Sequence, residues 1–327
     1  MEKEKIHQII LALTSLKGLG RKTIYSFLMD NLSAFTDEDI TVDWLTRKIN
    51  ELSETNARIK PVDEITIKNA LSNAYRILEQ QEEMSIFTIS ILDKNYPENF
   101  KRLKNDAPLL LFAKGSLELL SNTNKYVGVI GSRQINDQIK RVGTRLAHIL
   151  AEQGFIVVSG LAVGSDTCGH KGALETGYTI AIMPCGLDKV APAENRQLFN
   201  EIIESGSLAL SEYPIGRAPD KATYVERDRL QAGLSDGIAV LETSETGGTM
   251  HAVKKAFEIK SVIGCLSPDT VEQSGNRMLV REYDAHILNS QNDIDKFIEL
   301  LNTKKLEAKP EKPVKKETVK IEQASLF

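Results

Sequence analysis

Between residues 126 and 288, short apolar runs alternate with stretches whose apolar positions recur at helical spacing. The first run, residues 126–130, ends abruptly in Gly131 and Ser132, and the apolar positions 142, 146, 149 and 150 that follow share one helical face. A second apolar run covers residues 155–159 and ends in Gly160. Because the connection is long enough to hold a crossover helix, the pattern predicts a β-α-β unit with parallel strands.

The same alternation continues through this part of the chain. It predicts strands at residues 126–130, 155–159, 179–183, 207–210, 237–241, 261–265 and 285–288. Strands that alternate with helices form an open, doubly wound and mostly parallel sheet of the α/β class. Glycines follow several of these strands, and we expect them along the edge of the sheet where this architecture binds ligands. They are Gly131, Gly160, Gly186, Gly247 and Gly248.

The turn after the first of these strands favours a phosphate-rich ligand. Its backbone N–H groups are expected to face the crevice beside a helix N-terminus, which suits anions. The turn lacks the further glycines of the G-x-G-x-x-G fingerprint, and no acidic residue closes the next strand to hold a ribose. Arg133 stands where that fingerprint requires a small residue. We therefore expect Arg133 to contact phosphate, the alternative being an arginine paired with a carboxylate of its own sheet.

Residues 1–85 are predicted to form a small helical domain. Apolar residues between positions 6 and 13 fit one helical face, and a further helix is expected over residues 63–80. The pattern L-x-G-x-G-x-K-T at residues 16–23 is typical of a helix-hairpin-helix or SAM-like domain, whose turn can offer N–H groups to a DNA phosphate. The candidate contacts are Gly18, Gly20 and Lys22. The alternative is a tight turn between helices that serves only packing.

The rest of the chain divides into two parts. Residues 86–302 are predicted to form the α/β domain, which begins with a bridge that contains a strand near residues 85–89 and a short apolar run at residues 109–112. Residues 303–327 consist mainly of lysine, glutamate and proline with few apolar side chains, which predicts a disordered tail.

Composition excludes several classes of protein. No apolar run approaches the length of a membrane span, and the charged first residues are not those of a signal peptide. The three cysteines form no C-x-x-C pair, so we expect a reduced cytoplasmic protein without structural zinc. The net charge is −4, but the tail from Lys304 onward carries seven lysines and four glutamates. The body is therefore acidic, and any nucleic acid must bind to a local basic patch.

A series of motifs resembles the DprA/Smf family of DNA-processing proteins. The similarity covers roughly residues 88–300, and the motifs occur in the family's order. They lie at residues 96–97, 108–115, 129–133, 158–162, 164–170, 185–188, 192–195, 210–214, 229–235 and 276–277. The resemblance implies an extended Rossmann-like fold that binds single-stranded DNA, forms a homodimer and helps to load the recombinase RecA onto incoming DNA during transformation. The biological context could equally be phage or plasmid recombination, or defence.

The resemblance also implies the phosphate-binding residues. The candidates for contact with DNA or phosphate are Gly131, Ser132, Arg133, Gly160, Lys189, Arg196, Arg227, Arg229, Gly247 and Gly248. The chain departs from the family's pattern at Ala193 and Glu194, where many members have a lysine, and at Glu226 and Asp228. These changes are expected to make the crevice less basic and to weaken its hold on phosphate. Arg227 and Arg229 could instead be salt-bridged within the start of a helix.

Enzymatic chemistry is a weaker interpretation of the same residues. Asp166 and His170, with Cys168 between them, do not complete a metal-ligand set, and we expect Asp166 to cap a helix. Glu242 and Glu245 are the candidates if hydrolysis occurs, but the following residues lack the G-G-x-G-T-x-x-E pattern of related enzymes that cleave nucleotides. We therefore expect no enzyme activity, no cofactor and no metal. The alternative hypothesis is a nucleotide-binding or nucleotide-cleaving Rossmann-like protein of the LOG type.

The last residues of the chain suggest a further partner. Residues 323–327 resemble the pentapeptide Q-x-[SD]-L-F with which bacterial proteins dock on the β sliding clamp. In that interpretation Gln323 makes polar contacts at the rim of the clamp pocket, and Leu326 and Phe327 fill it. The expected partners are therefore single-stranded DNA, RecA, the β sliding clamp and a second copy of the chain. The alternative is an apolar end that docks on its own domain.

Overall fold

The computed structural model describes residues 2–37 and 40–307, and the region before the sheet is helical. The helices there are α1 (Glu2–Ser15), α2 (Arg21–Asp30), α3 (Leu32–Asp37), α4 (Val42–Thr55) and α5 (Glu64–Glu83). Helix α5 is the predicted third helix with three more residues at its end, while α3 and α4 were not predicted. Thr41 and Asp63 cap α4 and α5 by accepting hydrogen bonds from backbone N–H groups of the first turn.

A single nine-stranded sheet follows. Its strands are β1 (Phe87–Ser90), β2 (Leu110–Gly115), β3 (Lys125–Ile130), β4 (Phe155–Ser159), β5 (Thr179–Met183), β6 (Leu208–Ser211), β7 (Gly237–Val240), β8 (Val262–Leu266) and β9 (His286–Leu288). The seven strands from β3 to β9 pair in parallel, and β1 and β2 are antiparallel additions at one edge. The predicted α/β class, with a mostly parallel sheet, is confirmed.

The order of the strands fixes where a ligand can bind. Across the sheet it is β1-β2-β6-β5-β4-β3-β7-β8-β9. From β3 the chain moves outward through β4, β5 and β6, and then returns to add β7, β8 and β9 on the other side of β3. The connections that leave β3 and β7 therefore diverge, and they open a crevice at the carboxyl ends of these two strands. Doubly wound sheets bind their ligands at such a switch point.

Helices cover both faces of the sheet. They are α6 (Glu98–Lys101), α7 (Asp137–Glu152), α8 (Ser165–Leu174), α9 (Arg196–Glu204), α10 (Lys221–Leu234), α11 (Thr249–Glu258), α12 (Gly275–Glu282) and α13 (Gln291–Glu307). Side chains alternate between the two faces of a strand. Val127 and Val129 accordingly pack in the core with α7, α8 and α13, whereas Ile130 belongs to the core with α11 and α12.

The last helix of the structure extends beyond the predicted end of the α/β domain. Helix α13 continues to Glu307, so residues 303–307, assigned to the tail by composition, are helical. The candidate clamp-binding residues lie outside the described part of the chain. Among the described residues, no helix has both the length and the apolar character of a membrane span.

Candidate nucleic-acid interface

The turn after β3 is tightly packed, which explains its glycine. A Cβ atom on Gly131 would lie 2.5 Å from Ser165 Oγ and 2.8 Å from the Glu242 carbonyl oxygen. The N–H group of Ser132 donates to that same carbonyl at 2.6 Å. The Ser132 hydroxyl accepts from the side chain of Gln273 at 2.9 Å. Ser132 therefore holds the turn in place, and its N–H group is not free for phosphate as the sequence suggested.

Arg133 points away from this packed turn. Its side chain is exposed, and its guanidinium carbon lies 4.9 Å from the centroid of the Tyr224 ring on α10. Within residues 2–37 and 40–307 it makes no hydrogen bond or ion pair, so the alternative of a pairing with its own sheet does not hold in this structure. Cation–π contact with Tyr224 holds the charge at the crevice while leaving its N–H groups able to bind an anion.

The crevice is a cleft of about 1700 Å³ at the switch point between β3 and β7. The turn after β3, the loop after β4, the first half of α10 and the Gly247–Gly248 turn form its walls. Its cationic side chains are Arg133, Lys140, Lys221 and Arg227, joined by His251. Its acidic side chains are Asp166, Asp220, Asp228 and Glu272. The cleft is therefore of mixed charge, with Arg133, Lys140 and Lys221 exposed to solvent.

Arg227 forms part of the floor of the cleft. Its side chain is 3% exposed, and Nη1 lies so near Gly160 that a Cβ atom there would be 1.1 Å away. Gly160 therefore makes room for the guanidinium group and does not line the cleft itself. Nη1 lies 3.7 Å from Asp166 Oδ2, and Nε lies 3.5 Å from Asp228 Oδ1. Both of these nitrogens are buried without a hydrogen bond in the described structure.

Asp166 and His170 have structural roles. Gly164 is the residue that caps α8, and Asp166 instead accepts hydrogen bonds from the N–H groups of Gly160 and Ala162 at 3.2 Å each. His170 Nε2 accepts from the N–H group of Leu161, and its other ring nitrogen bonds Thr179 at 2.7 Å. Burial lowers the pKa of His170 to about 3. The imidazole is therefore neutral, and it holds the loop after β4.

Several of the predicted cations lie away from the cleft. Arg229 is buried in a two-pronged ion pair with Glu212, at 2.7 and 2.5 Å, and donates to the carbonyl oxygen of Asp106. Lys189 pairs with Asp188 at 2.6 Å, and Arg196 is exposed at the start of α9. None of the three cations lines the cleft. Arg229 is thus a structural residue, as the salt-bridge alternative had it.

The acidic departures from the family pattern also divide. Asp228 lines the cleft, whereas Glu194 and Glu226 do not. Glu226 accepts a hydrogen bond from Tyr213 and lies 3.6 Å from Arg21 of α2, so it faces the N-terminal helices. We expected each acidic change to reduce the positive charge of the crevice. Of Glu194, Glu226 and Asp228, only Asp228 lies where it can do so.

Glu242 and Glu245 are not placed for hydrolysis. The buried Glu242 carboxylate accepts hydrogen bonds from the N–H groups of Glu272 and Gln273, at 2.7 and 2.8 Å. It thereby holds the loop that closes one side of the cleft. Glu245 is exposed, and neither glutamate lines the cleft.

The helix-hairpin-helix turn lies against the sheet domain. Gly18 has a φ of +91°, and a Cβ atom on it would come within 2.0 Å of the Arg58 carbonyl oxygen. Lys22 lies 3.6 Å from Asp106, and the neighbouring Arg21 lies 3.4 Å from the same carboxylate. Gly20 has open space around it. These contacts favour the alternative in which the turn serves packing.

The sequence did not single out Tyr224, Lys140 or Lys221 as site residues. Tyr224 lies one helical turn from Asp228 on the cleft side of α10, and Lys140 stands in the first turn of α7. The sequence held a weak signal for Lys140, because a helix that follows a ligand-binding turn often presents its first residues to the ligand. Nothing local to these residues indicates that α7 and α10 both border the cleft.

Comparison with known proteins gives consistent results. The family model described as DNA recombination-mediator protein A matches residues 87–299. Protein Smf of Synechocystis sp. is 31% identical over 72% of this chain and 60% of its own length. The chain thus spans about 60% of the length of the curated relatives that it matches.

Two solved structures are similar over most of their length. DNA processing protein A from Streptococcus pneumoniae aligns with a TM-score of 0.73 and 25% identity, over 90% of this chain and 96% of its own. DNA processing protein A from Helicobacter pylori aligns with a TM-score of 0.59 and 31% identity, over 65% of this chain and 96% of its own. The latter structure is described in terms of a single-stranded DNA binding mode.

Proposed function

The chain belongs to the DNA recombination-mediator protein A family, and we propose on that premise that its cleft binds single-stranded DNA. The observation that carries the proposal is the exposed Arg133 at the switch point, held over Tyr224 and unpaired within the described residues. A guanidinium group presents several N–H donors to a phosphate. The H. pylori relative, described as binding single-stranded DNA, supports the choice of ligand.

The wider cleft suits a strand better than an isolated phosphate. Lys140 and Lys221 place further exposed charge around Arg133, on α7 and α10 respectively. A groove with several cations can follow a backbone, and its affinity then depends steeply on salt. Because these contacts are to phosphate, binding should be nearly independent of base sequence. The Gly247–Gly248 turn lines the same cleft, although the Gly247 N–H group already donates to the Ser244 carbonyl oxygen at 3.3 Å.

The partners in this proposal follow from the family. The protein would protect single strands and deliver them to a recombinase of the RecA type during DNA uptake or recombination, acting as a homodimer. Support for this step is membership of a family described as recombination mediators. Sedimentation of the full chain, and co-sedimentation with RecA on single-stranded DNA, would test the two assemblies separately.

Arg133→Ala tests the proposal directly. Loss of one charged phosphate contact should weaken binding of an oligonucleotide of about 20 residues by roughly ten- to a hundredfold for all sequences alike. The slope of log affinity against log salt should fall by about 0.7, the value for one phosphate of a single strand. Fluorescence anisotropy at several salt concentrations measures both quantities.

The matched control is Arg196→Ala, which removes the same charge from an exposed site outside the cleft. Its affinity and salt slope should stay close to those of the unmodified chain. If the two variants bind alike, and both are folded, Arg133 is not the main contact.

We further propose that the cleft carries out no chemistry. The Glu242 carboxylate accepts hydrogen bonds that hold a loop. Asp166 and His170 accept hydrogen bonds from backbone N–H groups of the loop after β4. Within the described residues no group of acidic, histidine or cysteine side chains has the arrangement of a metal site. We therefore expect no nuclease, glycosidase or ATPase turnover.

An assay for mononucleotide turnover in Glu242→Gln and the unmodified chain would check this expectation. Turnover that disappears in the variant would support the alternative, a nucleotide-cleaving protein. A nucleotide-binding protein would instead reveal itself in competition, through saturable binding of a mononucleotide that an excess of oligonucleotide does not displace.

A further inference from the structure

The floor of the cleft holds more negative than positive charge. Arg227 lies between Asp166 and Asp228, with closest nitrogen–oxygen distances of 3.7 and 3.5 Å. The exposed fractions of the three side chains are 3%, 7% and 14%, so water screens these charges poorly. With both carboxyls ionised, the cluster has a net charge of −1 beneath the place where a phosphate would bind. A phosphate bound to Arg133 would therefore meet repulsion from below.

The two carboxyls differ in what stabilises their charge. Asp166 accepts hydrogen bonds from two backbone N–H groups, those of Gly160 and Ala162. Among the described residues, Asp228 accepts a hydrogen bond only from the side-chain amide of Gln231, at 3.2 Å. Hydrogen bonds from N–H groups favour the ionised form of a carboxyl. Burial raises the pKa of both carboxyls, but Arg227 and the two backbone N–H groups oppose the shift at Asp166, whereas the charge of Asp166 adds to the shift at Asp228. We therefore assign the first proton that the cluster takes up to Asp228.

The groups around Asp228 shift its pKa in both directions, and burial outweighs the others. Burial raises the pKa of Asp228 to about 6; Arg227 and Arg133 oppose the shift, and Asp166 adds to it. From α8 the neutral His170 adds no charge. Asp220 and Lys221 at the start of α10, and His251 on α11, line the same cleft in exposed positions. Glu272 lines it from the loop after β8.

We propose that Asp228 sets the affinity of the cleft for phosphate, because a strand binds to the form of the protein in which the Asp228 carboxyl carries a proton. The proposal rests on the proposed function, binding of single-stranded DNA in this cleft. Proton uptake leaves Arg227 paired with Asp166 alone and removes the excess negative charge. The positive charge of Arg133 then faces the phosphate with one buried negative charge fewer beneath it, while Asp220 and Glu272 at the cleft are exposed to solvent.

The linkage has a measurable size. The apparent Kd equals the intrinsic Kd divided by the fraction of protein in the binding-competent form, and above about pH 6 that fraction falls by up to tenfold per pH unit. At constant ionic strength, oligonucleotide affinity should therefore drop by about tenfold or more between roughly pH 6 and pH 8. Lowering the pH should restore it.

Asp228→Asn is the decisive variant. The amide keeps the shape of the carboxyl and an oxygen that can accept from Gln231, but it is neutral at every pH. The variant should bind a thymidine oligonucleotide of about 20 residues at about pH 8 as tightly as the unmodified chain does at about pH 6, with a nearly flat pH profile.

Two control variants separate this effect from general charge. Asp220→Asn removes the same charge from the same helix at an exposed position of the cleft, and asparagine also caps helices well. It should shift affinity slightly at all pH values and leave the pH profile unchanged. His251→Gln removes the imidazole that lines the cleft from α11, and the drop in affinity between roughly pH 6 and pH 8 should persist in this variant.

The outcomes separate this inference from the proposed function. If Asp228→Asn binds the oligonucleotide with an unchanged pH profile, the role of Asp228 is wrong and DNA binding stands. If neither the variant nor the unmodified chain binds the oligonucleotide at any pH, the proposed function is wrong. The same pH series with inorganic pyrophosphate then decides on Asp228, because a profile that the variant does not flatten contradicts its role there too.

Discussion

Arg227 and Arg229 stand two residues apart on α10 and have different roles. Two residues turn an α-helix by about 200°, so their side chains leave opposite faces. Arg227 forms part of the floor of the cleft, whereas Arg229 lies outside it and donates to Glu212, which follows β6, and to the carbonyl oxygen of Asp106. The helical period, more than the residue type, separates the candidate ligand-binding arginine from the structural one.

Arg229→Ala should therefore reduce stability without acting on the cleft. It leaves the Glu212 carboxylate, which is 9% exposed, without the two-pronged partner, and breaking a buried pair costs about 3–5 kcal/mol. Urea unfolding measures the loss. Arg196→Ala, which removes an exposed arginine, should change the free energy of unfolding by less than about 0.5 kcal/mol. Equal stability of the two variants would contradict the structural role of Arg229.

At the scale of an element, the turn between α1 and α2 shows how a motif can serve packing. Its two glycines differ in their surroundings. Gly18 has a left-handed backbone and lies against the Arg58 carbonyl, whereas Gly20 has an ordinary φ of −83° and open space. Arg21 and Lys22, which follow, both approach Asp106 of the sheet domain. The basic residues that follow the turn therefore face the sheet domain.

Gly18→Ala and Gly20→Ala form a matched pair that tests this. A methyl group at Gly18 meets both a disfavoured φ and a backbone oxygen, so the variant should lose about 2 kcal/mol or more of stability. The same methyl group at Gly20 should cost no more than about 1 kcal/mol as a poorer helix cap. Thermal or urea unfolding compares them. A reduced oligonucleotide affinity in the stable Gly20→Ala variant would restore the turn as a DNA contact.

At the scale of the whole molecule, the N-terminal helices and the sheet share one apolar core. Ile10 and Leu28 of the helices belong to the same buried cluster as Leu111 and Phe112 of β2. An ion cluster borders it, in which Asp106 meets Arg21, Lys22 and Lys255. A continuous apolar contact between parts of a chain favours a fixed arrangement over independent motion. The cleft and the helical region therefore belong to one framework.

The hypothesis that the chain docks on the β sliding clamp also belongs to this scale. It rests on residues 323–327 alone, which lie outside the described part of the chain. Burying a leucine and a phenylalanine contributes roughly 3–6 kcal/mol before ordering costs, enough for measurable binding. Calorimetry of the full chain with purified clamp should give a saturable signal. The double variant Leu326→Ala, Phe327→Ala should bind at least about tenfold more weakly, and equal binding would end the hypothesis.

The sequence by itself determined the strands, their parallel sheet and the position of the glycine turn after β3. Each depends on local rules: apolar runs of strand length, a glycine at each sharp connection, and crossover helices between them. Strands such as Phe155–Ser159 and Thr179–Met183 accordingly lie where the pattern placed them. Arg133 stands at the carboxyl end of β3, and the parallel topology alone brings that end to the crevice.

Only the tertiary structure decided which charges share the cleft. Arg229 and Glu226 were grouped with Arg227 by sequence, yet their partners Glu212 and Arg21 come from β6's end and from α2. The pKa of Asp228 is raised in part by Asp166, which lies 62 positions earlier in the chain. The physical reason is that local patterns fix the period of an element, while the partner of a charge depends on which distant surfaces the fold brings together and on how far it removes them from water.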